Sequence, residues 1–182
     1  METGRAALAP PFFVSGVAVE LAAAHLRSMS QTFEIVRLGG ADAPRMTALN
    51  TLFAEVFEDP QSYAAAPPDE PYLARVLSRP QTIVLVAEAD GAMVGGLVAY
   101  ELEKLEQARS EIYLYDLAVR EAFRRRGVAT ALIAKLQRIA TVQGAWVVMV
   151  QGDYGDEPAL ALYRKLGVQE EVLHFDIPPG AR

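Results

Sequence analysis

The stretch Tyr113-Leu-Tyr-Asp-Leu-Ala-Val119, followed by Arg124-Arg-Arg-Gly127-Val-Ala129, constrains this chain more than any other. Its first part is rich in aromatic and branched apolar residues and reads as a strand. Three arginines and a glycine then form a short basic loop, and an apolar pattern of helical spacing begins at Val128. Such a junction sets the N-terminus of a helix just past the end of a strand. Glycine lets the turn run close to a ligand, and a helix start leaves amide N–H groups without internal acceptors. Those amides and the positive end of the helix dipole suit phosphate oxygens. The first expectation is a pyrophosphate-binding turn made by Arg124, Arg125, Arg126, Gly127, Val128, Ala129 and Thr130.

The remainder suffices for one domain. A chain of 182 residues that is 52% apolar buries a full core. It has no cysteine, which removes disulfides and thiolate metal sites. Its two histidines, His25 and His174, are too few and too far apart for a zinc site, and no metal is expected. A net charge of −6 disfavours nucleic acid and fits a cationic partner. Residues 1–32 stand apart. Their apolar run is broken by Pro10-Pro11 and carries Glu2 and Glu20, which argues against a membrane span and makes export the weaker reading. They are expected to form a loosely ordered extension, with Met29 as an alternative start, ahead of a domain over residues 33–182.

Within that domain, residues 34–38 alternate with period two and read as a strand ending at Gly39-Gly40. Asp42 suits a helix cap, and Met46, Leu49, Phe53 and Phe57 follow at helical spacing. Residues 58–68 read as a loop, and Asp69 opens a second helix bearing Tyr72, Leu73, Val76 and Leu77. Glu58, Asp59, Asp69 and Glu70 read first as capping and solubilising residues. Residues 82–88 and 93–100 form a hairpin about Asp90-Gly91, and Gly95-Gly96 marks a bulge or a close backbone approach. After the central strand and basic turn, Val128, Leu132, Leu136 and Ile139 mark one helical face, with Ile133 beside it, ending at Gly144. Residues 146–150 read as a buried strand. A helix from Glu157-Pro158 then turns Ala159, Leu162 and Leu166 inward with Tyr163 on its flank, and residues 168–177 read as a last strand.

The pattern Arg124-x-x-Gly127-x-Ala129 after Leu117-Ala118-Val119, with a helix, a strand and a tyrosine-bearing helix following, resembles the acyl-CoA motif of the GNAT acetyltransferase superfamily. The resemblance implies a mixed α/β fold with a mostly antiparallel central sheet flanked by helices and splayed central strands. It implies acetyl-CoA as cosubstrate, without metal or redox cofactor. The arm of that cosubstrate would pair with backbone along Leu117, Ala118 and Val119 as an added strand does. Acetyl transfer to an amine requires loss of an ammonium proton, a polarised thioester carbonyl and protonation of the leaving thiolate. Tyr163 lies in Ala159-Leu-Ala-Leu-Tyr163-Arg-Lys-Leu-Gly167, which resembles the family's late helix with its CoA-facing tyrosine. A phenol of pKa about 10 is close to a thiol, so proton transfer between them costs little. Asp116 is a carboxylate inside an apolar and aromatic strand, and is the candidate to hold the ammonium and relay its proton. At an ordinary pKa of about 3.9 it is a poor direct base, and burial beside Tyr115 would raise that value. Glu111 on the same strand is the weaker alternative.

Three segments narrow the resemblance: Ser110-Glu-Ile-Tyr-Leu-Tyr-Asp-Leu-Ala-Val119, Gln151-Gly-Asp-Tyr-Gly-Asp156 with Pro158, and Glu170-Glu-Val-Leu-His-Phe-Asp176. They are similar to type I aminoglycoside 3-N-acetyltransferases, over nearly all of residues 33–177. The likeness implies transfer to the 3-amino group of gentamicin-type antibiotics, work in the cytoplasm where the donor is found, and a homodimer, a common state in that family. For so cationic a substrate the expected lining is Asp153, Asp156, Glu171 and Asp176, with Tyr115 and His174 in contact. Two other readings stay open: transfer to another polyamine or a peptide amine, and a module that binds acyl-CoA without turnover.

Overall fold

The computed structural model describes residues 33–180, so the expectations for the extension, Met29 and His25 lie outside the described residues. The chain runs β1 (Glu34–Arg37), α1 (Ala43–Val56), α2 (Pro60–Tyr63), α3 (Glu70–Leu77), β2 (Thr82–Ala89), β3 (Ala92–Glu103) and β4 (Ser110–Val119). It continues through α4 (Val128–Gln143), β5 (Ala145–Val150) and α5 (Glu157–Leu166), with short 3-10 turns at Gly40–Asp42 and Glu121–Phe123. The five strands lie in sequence order, antiparallel except for the parallel pair β4 and β5. This is the mixed, mostly antiparallel sheet flanked by helices that the family resemblance implied.

Strand alternation assigns side chains to two faces. On one, α1 and α3 bring Met46, Leu49, Phe53, Leu73 and Leu77 against Val84, Val86, Val98 and Ala118. Ile83, Leu85, Leu97, Ile112 and Leu114 alternate to the other face, where α4 carries the equally buried Leu132 and Leu136 over β2, β3 and β4. The β2–β3 hairpin turns on Asp90 and Gly91 with φ of 51° and 77°, as a two-residue primed turn requires. Gly144 closes α4 in the left-handed conformation, φ 74°.

The acidic residues near α2 and α3 are mostly caps. Asp59 accepts from the Ser62 amide at 3.0 Å and Asp69 from the Tyr72 amide at 2.8 Å. Asp42 differs. It stands at the N-cap of α1 without capping it, and instead accepts from the Gly39 amide at 2.9 Å and pairs with Arg45 at 3.2 Å.

Three expectations are corrected. The segment read as a loop over residues 58–68 contains α2, because Asp59 caps it and Pro60 sits at its first position, where proline is tolerated. The strand read as buried, β5, is the last of the sheet and half exposed. Trp146 is 67% exposed, and the Arg109 guanidinium lies 3.7 Å from its ring centroid. Residues 168–177, read as a strand, pair with no strand and are exposed along their length, so their apolar alternation has no sheet face to fill.

At Gly96 the sheet and α1 leave no room for a side chain. A Cβ there would meet Leu49 Cδ1 at 2.6 Å and the Leu85 carbonyl oxygen at 2.9 Å. Backbone cannot give way as a side chain can, so Gly96→Ala is expected to cost about 2 kcal/mol or more. Urea unfolding of the variant and the parent measures this directly.

Candidate active site

The sheet opens at one point. β4 pairs with β3 through to Val119, opposite Gly95, but its parallel pairing with β5 stops at Leu114 and Val150. Residues 115–119 therefore have a strand partner on one side only, and the expected parting of the central strands lies between them and residue 151 onward. A bulge sharpens the divergence. Val98 and Ala99 face Asp116 and Leu114, which leaves Tyr115 as the extra residue. The bulge shifts the side-chain phase, so that Asp116 and Ala118 share the face covered by α1.

Beyond β4 the basic turn is built as its sequence suggested. Gly127 takes a left-handed conformation, φ 83°, at the N-cap of α4, and Arg125 is also left-handed at φ 61°. The first bond into the helix runs from the Ala131 amide to Gly127 O at 2.9 Å. The amides of Val128, Ala129 and Thr130 thus precede the first internal acceptor and point out of the helix end. The three arginines are not equivalent. Arg124 Nε donates to Val119 O at 3.2 Å and braces the turn on β4, while the Arg126 guanidinium sits 5.2 Å from the Phe123 ring centroid. Arg125 is exposed.

Asp116 is half-buried. The Tyr63 hydroxyl, from the end of α2, donates to its Oδ1 at 2.5 Å. Burial pushes the carboxyl above its ordinary value, and the Tyr63 bond opposes that rise. Around it stand tyrosine rings. Tyr115 lies 5.7 Å from Tyr113 and 6.1 Å from Tyr100, both edge to face, and is 64% exposed. Tyr63 in turn packs on Phe53 and Phe57 at 5.6 and 5.5 Å. This aromatic wall with one carboxylate in it suits a cation that also has apolar faces.

Tyr163 is half-buried on α5, and its ring lies 3.6 Å from the position a Cβ would take on Gly152. Gly152 follows Val150, the last paired residue of β5, by two positions, as Asp116 follows Leu114 on β4. The two expected reactive groups therefore sit on either lip of the same opening. Burial, with a smaller contribution from Asp156, pushes the Tyr163 phenol upward, so it stays protonated near neutrality.

The expected lining divides. His174 and Asp176 are joined to the tyrosine wall: Tyr113 OH donates to Gln151 Oε1 at 2.6 Å, Gln151 Nε2 lies 2.9 Å from His174 Nδ1, and His174 Nε2 lies 3.0 Å from Asp176 Oδ1. A ring proton on Nε2 fits both imidazole contacts, with Nδ1 accepting from Gln151 and Nε2 donating to Asp176. The Asp156 carboxylate caps α5 by accepting from the Ala159 amide at 3.2 Å. Asp153 and Glu171 are exposed. Glu111 is taken up by Lys104 at 3.5 Å and Arg109 at 4.0 Å. Sequence reasoning missed Tyr63 and Gln151. Both act at long range in the chain, and no periodicity marks them.

Residues 46–168 match the acetyltransferase (GNAT) family. An N-alpha-acetyltransferase of Sulfurisphaera tokodaii is 31% identical over 115 residues, 58% of this chain and 69% of that protein. Among solved structures, an aminoglycoside acetyltransferase from an uncultured soil metagenomic sample is 49% identical with a TM-score of 0.80, over 82% of this chain and 99% of that one. A second soil metagenomic aminoglycoside acetyltransferase, solved with sisomicin, is 33% identical with a TM-score of 0.75, over 81% and 97% of the two chains. The fold and its opened sheet are thus those of an acyl-transferring enzyme class. The chain belongs to the GNAT acetyltransferase family and is an N-acetyltransferase.

The raised pKa of Asp116 carries a stability consequence. A folded-state carboxyl above its unfolded value binds its proton more tightly when folded, so stability is lost as pH rises through the folded pKa. Asp116→Asn removes that loss and keeps an acceptor for Tyr63. The variant is expected to melt above the parent at pH 8, a gain that shrinks at pH 4. Calorimetric melting at the two pH values checks it.

Proposed function

We propose that the protein transfers the acetyl group of acetyl-CoA directly to an amine of an aminoglycoside, the 3-amino group of gentamicin-type antibiotics. The observation that carries this reading is Asp116, a half-buried carboxylate amid tyrosines at the mouth of a parted sheet. Amides of residues 128–130 and the Arg125 charge fit the pyrophosphate of the donor, and the free side of β4 along Leu117, Ala118 and Val119 fits its amide-bearing arm. The tyrosine wall offers apolar faces to sugar rings and attraction to their ammonium groups. Two relatives named as aminoglycoside acetyltransferases, at 49% and 33% identity, support the same substrate class.

In this reading Asp116 holds the acceptor ammonium and takes its proton, through water or directly, aided by a pKa that burial has raised. The freed amine nitrogen attacks the thioester carbonyl carbon, and the new C–N bond replaces the C–S bond. Tyr163 gives its phenolic proton to the departing sulfur and recovers one from solvent. After attack the nitrogen still carries two hydrogens and sheds one as the amide forms, which matches the proton Tyr163 recovers; the proton held by Asp116 passes to solvent as the one released overall.

A peptide N-terminal amine is the second reading, favoured by the relative named as an N-alpha-acetyltransferase. Thiol release from acetyl-CoA separates the two. Gentamicin is expected to stimulate it well above spermidine, a short peptide and no acceptor, and the product is expected to be acetylated at the 3-amino group. Stimulation by the peptide alone would transfer the assignment to it. Tyr163→Phe is expected to lower kcat about tenfold with little change in acetyl-CoA affinity.

A further inference from the structure

The bond from Tyr63 to Asp116 joins two parts of the chain 53 residues apart. Tyr63 closes a four-residue helix whose start is fixed by the Asp59 cap, and its ring is wedged against Phe53 and Phe57. The hydroxyl is therefore delivered by packed, capped backbone. Its target carboxylate has a distinctive set of neighbours. Tyr63 faces it from α2, Tyr100 from β3, and Tyr113 and Tyr115 from β4 itself, with Tyr72 of α3 beyond Tyr100 and Asp59 beyond Tyr63. Among these described neighbours none is a cation. Tyr63 donates to Oδ1, and among the described residues no side-chain donor reaches Oδ2.

We propose that Tyr63 is a positioning residue, which fixes Oδ1 of Asp116 so that Oδ2 is presented to the incoming amine. The proposal rests on the reading of Asp116 as the group that receives the acceptor amine. A carboxylate with one oxygen held by a phenol keeps a single orientation and a hydrogen bond that favours its charged form. Burial and the Asp116 charge both push the Tyr63 phenol well above its ordinary range, so it remains a donor wherever the enzyme works. Tyr63 thereby makes Asp116 available as a base at lower pH than burial alone would permit, and it ties α2 to β4.

Tyr63→Phe tests this, because it keeps the packed ring and removes only the hydroxyl. Rates across pH with gentamicin as acceptor are expected to show kcat/KM down about tenfold at pH 7, with the acid limb displaced to higher pH. Acetyl-CoA affinity is expected to hold within twofold. An acid limb that stays in place with kcat/KM within twofold of the parent would overturn the proposal. Asp59→Ala, which loosens the same helix without touching the ring, is expected to move the limb in the same direction by less. The carboxyl titration of Asp116, followed by NMR in parent and Tyr63→Phe, decides the matter independently of turnover. A midpoint that rises in the variant supports the hold of Tyr63, and an unmoved one overturns it. A parent that neither binds acetyl-CoA nor releases thiol would count against the assigned reaction instead, and would leave that titration to judge Tyr63.

Discussion

The candidate site depends on two parallel strands that pair and then separate. From Ser110 to Leu114, β4 is held on both sides, by β3 and by β5. From Tyr115 onward it keeps only β3, and its other side becomes a row of peptide groups facing a gap. Backbone polar groups taken from water need partners, so an unpaired strand side inside a sheet is costly unless something fills it. An extended, amide-bearing ligand is the natural filler. On the β3 side, Gly95 lies against β4 and Gly96 against β2 and Leu49, with no room for a side chain at either.

The same opening brings together groups that are distant in sequence. The bulge at Tyr115 turns Asp116 towards α1 and α2 rather than towards α4. Tyr63 and the tyrosine rings can reach it only on that face. At the other lip, the small Gly152 lets the Tyr163 ring lie against the chain just past β5. The end of β4 leads through a turn braced by Arg124 on Val119 O into the N-terminus of α4. The amides proposed to hold the donor, and Asp116 and Tyr163 as the proposed proton acceptor and donor, are all placed by one interruption in strand pairing.

Much of this could be read before any coordinates. The Asp90-Gly91 hairpin and the Gly127 and Gly144 ends of α4 follow from local chemistry, while the sheet's architecture comes from the family resemblance. Even the bulge leaves a trace: Ile112 and Leu114 set one phase, and Leu117 breaks it. Other features carry no local signature. The apolar alternation of residues 168–177 is compatible with a strand, but alternation does not supply a neighbour to pair with. For β5 the run Trp146-Val-Val-Met-Val150 looks like core, yet position at the sheet edge decides its exposure. Tyr63 and Gln151 gain their importance from partners 53 and 38 residues away, which no periodicity encodes.

Amide hydrogen exchange on the full chain, with and without acetyl-CoA, addresses the central claim most directly. The account predicts that added acetyl-CoA slows exchange at Leu117 and Val119 and at residues 128–130. Binding that leaves those amides unprotected, or protects a different surface, would contradict it.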